Sequence, residues 1–248
     1  AINNKSEYFG NSFQNDLSGF SLQNIGYVKT MRHSDSENKW NRFSFGLTYN
    51  RLKDFDKNIT ITGESNESMI TNFLDNSQGV LTIELKPGEW HTELNPFSEA
   101  LAWATFLTDN IDSTSYISSI GNTAVSNNHH NSIEQSGYME EVSVTMSGAY
   151  NDKLFIGVQF GFVGINYREY NFYKESGFET TYNYEWGDLD QFSYEQDLNV
   201  IGGGLNYKLG FILKPYNWLR LGGSYHSKTH FEIEENWQSS MTQTGLDR

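Results

Sequence analysis

The residues best placed to do chemistry cluster towards the end of the sequence. Residues 202–228 read GGGLNYKLGFILKPYNWLRLGGSYHSK. Arg220, His226, Lys228 and His230 recur at even spacing, so one strand would put them on one face. Asn206 and Lys208 fall beside them if the preceding run pairs across the turn Lys214-Pro215-Tyr216-Asn217. Such a polar strip can meet a carboxylate, or it can close into an ion-pair network with acids such as Glu141 and Glu232. The network is the simpler expectation, because charges on an internal wall need partners. Ser224 and His226 do not suggest a nucleophile pair: they lie two apart on one face, with no acid to orient the imidazole.

Other candidates are weaker. His129 and His130 are adjacent in a Ser/Asn-rich stretch and point to no metal well, which needs further ligands. Gly202-Gly203-Gly204 sits inside a strand pattern with no helix after it, so it marks a kink or close approach rather than a phosphate loop. The acidic stretch from Glu175 to Asp197, with Glu179, Glu185, Asp188 and Asp190, reads as a solvated loop; a divalent ion bridging to lipopolysaccharide is the sharper alternative. No catalytic residue, metal ligand or cofactor site is expected, and the chain does not read as an enzyme.

The elements that would hold these residues are strands. Residues 17–33, 40–62, 139–150, 154–172, 190–213 and 218–234 alternate with period two, as in Phe43, Phe45, Leu47, Tyr49 against Arg42, Ser44, Gly46, Thr48. Residues 1–10 read as the tail of an earlier strand. The connections alternate in length. Those at 34–39, 151–152 and 214–217 are short; those at 63–138 and 173–189 are long. Long strands with short turns on one rim and long loops on the other are the pattern of a transmembrane barrel. The expected row of Leu, Tyr and Phe would face lipid, the Gly/Ser/Asn/Lys row a polar lumen, and Trp40, Tyr150, Tyr216 and Trp218 the interfacial girdle.

Composition is compatible. The chain has 248 residues, 22 glycines, 15% aromatics, no cysteine and a formal net charge of −14. Disulfides and thiolate metal sites are excluded, and so large a negative charge argues against a nucleic-acid partner. No run approaches the roughly 20 apolar residues of a membrane helix, and the low mean hydropathy does not exclude a barrel, whose strands face lipid at every second residue only. The opening AINNKSEYFG carries no basic start or apolar core, so no signal peptide is read there.

The 63–138 connection carries two helix signals. At 65–75, Met69, Ile70, Phe73 and Leu74 share a face. At 96–108, Pro96 follows the capping candidate Asn95, and Phe97, Ala100, Leu101, Ala104 and Leu107 form a stripe flanked by Trp103 and Phe106. Met69, Phe73, Leu101, Trp103 and Phe106 are the candidate lining of an apolar extracellular pocket; packing on one another is the plainer alternative. Val80, Leu81, Ile83 and Leu85 suggest a hairpin, and 110–137 a mobile Ser/Asn-rich segment.

The stretches NIGYVKT, GLTYNRLKDF (46–55), PFSEALAWATFLTD, KLFIGVQFGFVGINYREYNFY and KPYNWLRLGGSYH (214–226) together resemble the FadL/OmpP1/TodX outer-membrane transport family in its Bacteroidota branch, often labelled hemin receptors. The resemblance implies an antiparallel barrel of about 14 strands, in the bacterial outer membrane, surrounded by lipid and lipopolysaccharide and passing hydrophobic small molecules. Six or seven of those strands are visible, and the N-terminal hatch of the family is not, so the chain reads as part of a single larger barrel domain. Three functions follow as expectations. The first is passive uptake of hydrophobic or amphipathic molecules. The second is a non-conducting subunit that binds other outer-membrane proteins in a secretion or assembly complex. The third is a soluble β-rich binding module.

Overall fold

A computed structural model describes residues 2–8, 11–17, 21–32, 39–121, 126–179 and 187–246, the first two stretches as backbone only. In chain order the elements are β1 (Ile2–Tyr8), β2 (Asn11–Leu17), β3 (Asn24–Arg32), β4 (Trp40–Asp54), β5 (Lys57–Ser65), α1 (Met69–Ser77), β6 (Thr82–Lys86), β7 (Glu89–Thr92), α2 (Glu99–Ala104), β8 (Thr108–Asn110), β9 (Tyr116–Ser118), β10 (Ser126–Tyr150), β11 (Leu154–Glu179), β12 (Gln191–Tyr216), β13 (Leu219–His226) and β14 (His230–Thr244). The chain is all-β and antiparallel in its main body, as its alternation requires.

That body is one sheet in the order β13-β12-β11-β10-β4-β3, with β14 continuing β13 along β12 and β5 continuing β4 along β10. β10, β11 and β12 are 25, 26 and 26 residues long. Their hydrogen-bond ladder between β11 and β12 is unbroken from Leu154–Leu213 to Ser176–Gln191. Among the described residues, the outer edges of β3 and of β13 and β14 pair with no further strand. β1 pairs only with β2. The short turn expected at 34–39 falls mostly outside the described residues.

The register sorts every side chain onto one of two faces. One row set carries Tyr49–Val142–Phe162–Leu205, Leu47–Val144–Phe160–Tyr207 and Phe45–Met146–Val158–Leu209. The opposite set carries Asn50–Glu141–Val163–Gly204, Thr48–Ser143–Gly161–Asn206 and Gly46–Thr145–Gln159–Lys208. The first face is apolar yet open: Leu47, Phe160, Phe162, Leu205, Leu209 and Phe211 are all exposed. The second face is polar yet closed: Glu141, Ser143 and Asn206 are buried. This inverts a water-soluble sheet, which hides its apolar face.

Three expectations are corrected. The described part of the segment 110–137, expected to be mobile, carries regular structure: β9 pairs with β8 just before it, and β10 begins at Ser126. It does so because Asn127–Gln135 finds a complete partner in Lys57–Ser65. The strand signals at 154–172 and 190–213 extend to Glu179 and Tyr216, so the acidic stretch starts inside β11; its Glu185 lies outside the described residues. The helices are shorter than their signals. α1 starts at Met69, capped by Ser68, whose hydroxyl accepts from the Ile70 amide at 3.1 Å. α2 starts after Ser98 rather than Asn95, because the Asn95 carboxamide oxygen accepts from the Phe97 amide at 3.0 Å and forms a turn instead.

The hydrophobic core is not in the sheet. It lies where the segment 66–121 folds as a cap onto the far end of the long strands. Ile70, Phe73, Ala102, Leu107 and Ile120 from the cap pack with Tyr173, Phe192, Tyr194 and Met241 from β11, β12 and β14. By register, Tyr173, Phe192 and Tyr194 project on the face that carries Glu141 and Asn206. The cap therefore folds over the polar face.

Candidate functional site

At the centre of the polar face, Glu141 accepts from Lys208 Nζ at 2.8 and 3.2 Å, from Asn206 Nδ2 at 3.0 Å and from Gln159 Nε2 at 3.3 Å. Its side chain is 4% exposed and that of Lys208 32%. Gly161 makes the room. A Cβ there would stand 2.7 Å from both Asn206 Oδ1 and Glu141 Oε2. Thr48 and Ser143 hydroxyls meet at 2.5 Å in the next row. Sequence placed Asn206 and Lys208 on this face and named Glu141 as a partner, and the structure brings all three together.

The rest of the expected strip divides. His226 stands opposite Lys208 on β13, and Arg220 falls on the same side as His226, since Gly222 and Ser224 pair with Ile212 and Gly210 in between. Lys228 and His230 do not join them. Residues 227–229 interrupt the ladder, with the Ser227 hydroxyl accepting from the Tyr207 amide at 2.9 Å. After this break His230 pairs with Leu205 and Phe231 with Gly204. One inserted residue exchanges the faces. His230 and Glu232 now lie with the apolar row, and Phe231, Ile233, Glu235 and Trp237 turn to the polar side.

That exchange creates a feature the sequence reading missed. Phe231 and Ile233 lean across β12 because Gly204 and Gly202 have no side chains. A Cβ on Gly204 would meet Phe231 Cδ1 at 2.9 Å, and one on Gly202 would meet Ile233 Cγ1 at 3.1 Å. Trp237 continues the line and contacts Phe97 of the cap, ring centroids 6.4 Å apart. Phe97, whose carbonyl accepts from the Tyr194 hydroxyl at 2.6 Å, is thereby fixed at the cap's edge. Phe97, Trp237, Ile233 and Phe231 are 46, 46, 48 and 40% exposed. They form an apolar lane running from beneath the cap towards Asn206 and Lys208, interrupted by Glu235. The signal available in the sequence was the Gly triplet, which faces Phe231 and Ile233 across the ladder.

The expected pocket residues lie elsewhere. Phe73 is buried in the main core, and Met69, Leu101 and Phe106 pack against it. Trp103 packs on the cluster of Leu74, Leu94 and Tyr116, edge-on to Trp90 at 5.2 Å. They are the cap's own filling, because so small a unit needs every large side chain to exclude water. An apolar depression of about 910 Å³ does exist, but it lies among Phe43, Phe45, Met146, Phe211 and Tyr225 of the outward rows. It is floored by Gly148 and Gly223 and edged by Trp40.

Towards the short-turn rim Trp40 packs edge-on to Tyr150 at 5.4 Å, and Tyr216 stacks on Trp218 at 5.7 Å. Beyond the other end of the apolar band, Arg168 and Asp197 pair at 2.6 Å, and Arg51 lies 4.2 Å over the Tyr138 ring. No model of a known protein family matches this chain, and no curated protein or solved structure matches it.

Proposed function

We propose that the chain forms part of an outer-membrane β-barrel whose apolar rows face lipid and whose polar face lines a lumen, and that this barrel passes hydrophobic or amphipathic small molecules. The observation that carries the reading is the inverted sheet: an open apolar band opposite a cluster in which buried Glu141 and Asn206 meet half-buried Lys208. In water such a band would cost heavily. At about 25 cal/mol per Å², each exposed Leu or Phe forgoes roughly 1.5–3 kcal/mol. In a bilayer the same surface is solvated, and it is the polar side chains that must turn inward. The apolar lane from Phe97 to Phe231 supports passage. It offers a non-polar solute apolar contacts past the cap, broken at Glu235 and ending at a polar cluster where a head group would be held. Resemblance to the FadL-type family agrees with this reading.

A second reading is a fixed subunit of a larger outer-membrane assembly. It is favoured by Leu85 and Ile111, 61 and 66% exposed on the cap. A binding titration with a fluorescent acyl probe on the detergent-solubilised protein separates the two. Uptake through the lane predicts that Ile233→Asp weakens binding about tenfold or more while Leu85→Asp leaves it unchanged. Equal affinity in both variants and the parent contradicts the lane.

A further inference from the structure

Glu175 lies on β11, far along the strand from the Glu141 cluster. It is fully buried at the point where α1 meets the sheet. Oε1 accepts from the Met69 amide at 2.7 Å and the Tyr173 hydroxyl at 2.6 Å; Oε2 accepts from the Ser68 hydroxyl at 2.6 Å and Asn127 Nδ2 at 2.9 Å. The Tyr173 oxygen also lies 2.9 Å from His129 Nδ1, and His129 Nε2 lies 2.9 Å from the Glu67 carbonyl oxygen. A chain of contacts thus runs from the carbonyl just before the cap helix, through an imidazole and a phenol, to a carboxylate at that helix's first turn.

Counting hydrogens along this chain decides its charge. A carbonyl cannot donate, so His129 Nε2 must carry hydrogen. Tyr173 has one hydroxyl hydrogen. If it goes to Glu175, His129 Nδ1 must also carry hydrogen, and the pair is imidazolium and carboxylate. If it goes to His129, Glu175 must be the protonated acid. Both arrangements hold the same total: one proton more than a neutral imidazole and a carboxylate. Three other donors on Glu175 stabilise its charged form, which puts that proton on His129. Without it, every arrangement leaves one of these contacts with no hydrogen between the two atoms.

We propose that His129, Tyr173 and Glu175 form a proton-dependent latch that fastens the N-terminus of α1, and with it the cap, to β10 and β11. The latch is closed when the network holds its extra proton and is weakened by one charge-assisted hydrogen bond when it does not. Among the described residues, the ionisable groups Glu64, His130 and Lys174 line with His129 an open cavity of about 830 Å³. That cavity gives the imidazole a route to water. Loss of the extra proton takes the hydrogen out of one of these contacts, so the cap is held more tightly in acid and released as pH rises. The inference concerns the cap alone and stands whether or not the sheet spans a membrane.

The test is amide hydrogen exchange on the whole protein across pH 5 to 8, corrected for intrinsic exchange rates. Protection of residues 69–77 is expected to fall by roughly tenfold as pH rises, the loss of about one charge-assisted hydrogen bond. In His129→Gln, which keeps one donor and one acceptor, that pH dependence should vanish. Tyr173→Phe, which cuts the relay but leaves the imidazole, should abolish it too. Unchanged pH dependence in either variant overturns the latch. If a variant does not fold, imidazole ¹⁵N shifts of the parent protein still decide. Two protonated ring nitrogens on His129 in acid support the latch, and a neutral tautomer throughout the range refutes it.

Discussion

At the scale of single residues, the polar face is organised by one carboxylate. Glu141 is buried, accepts four hydrogen bonds and has one cation, Lys208, to balance it. Removing the cation leaves the charge in a closed site, which costs more than the pair itself contributes. Lys208→Met should therefore destabilise the protein by about 2–3 kcal/mol, measured as the shift in a denaturant midpoint in detergent. The double variant with Glu141→Gln should recover most of that loss. Equal losses in the single and double variants would show that packing, not charge, is at work. This pair was legible in the sequence because Lys208 and Asn206 alternate with Leu and Tyr. The role of Glu175 was not: it looks like the first of a run of solvated acids. Only the long-range meeting of β11 with α1, 106 residues apart in the chain, shows that it is enclosed.

At the scale of elements, alternation identified the strands but underestimated the length of β10, β11 and β12, while the run at 40–62 is two strands, β4 and β5, and within 17–33 β3 is only Asn24–Arg32. The ends of β10, β11 and β12 are rich in Ser, Asn, Tyr and Glu, with polar residues on both faces, so hydrophobic period gives no signal there. Pairing with a long neighbour extends them. The break at 227–229 was hidden for a different reason. Nothing in SKT announces a bulge, and a shift of one residue moves all later side chains to the opposite face. The Gly202-Gly203-Gly204 run, expected to mark a kink or close approach, gives close approach at Gly202 and Gly204, to a partner that the sequence does not announce. It accommodates Phe231 and Ile233. Gly204→Ala places a methyl 2.8 Å from Thr229 Cγ2 and 3.0 Å from the His230 carbonyl oxygen. It should cost about 1–3 kcal/mol by overpacking. Gly203→Ala, whose nearest neighbour beyond its own strand is the Val163 carbonyl oxygen at 3.7 Å, should be close to neutral. Thermal melts of the two variants side by side check this; equal shifts would contradict the close approach.

At the scale of the whole molecule, the apolar face has the dimensions of a membrane band. On β12 it runs from Ile201 to Leu213, about 40 Å along a strand at ~3.3 Å per residue, or roughly 30 Å of height at the 35–45° tilt of membrane barrels. Aromatic pairs lie near one limit, and the charged side chains of Arg51, Arg168 and Asp197 lie beyond the other. The cap and its buried core sit wholly past that second limit. The chain contains no cysteine, so single cysteines report without background. The most direct measurement is labelling of Phe160→Cys, Leu209→Cys, Asn199→Cys and Ile111→Cys with a membrane-impermeant maleimide in native membranes. Asn199→Cys and Ile111→Cys are expected to be modified at once, while Phe160→Cys and Leu209→Cys react only after denaturation. Rapid labelling at all four positions would mean that the apolar face meets water or an exchangeable partner, and would contradict a lipid-facing barrel wall.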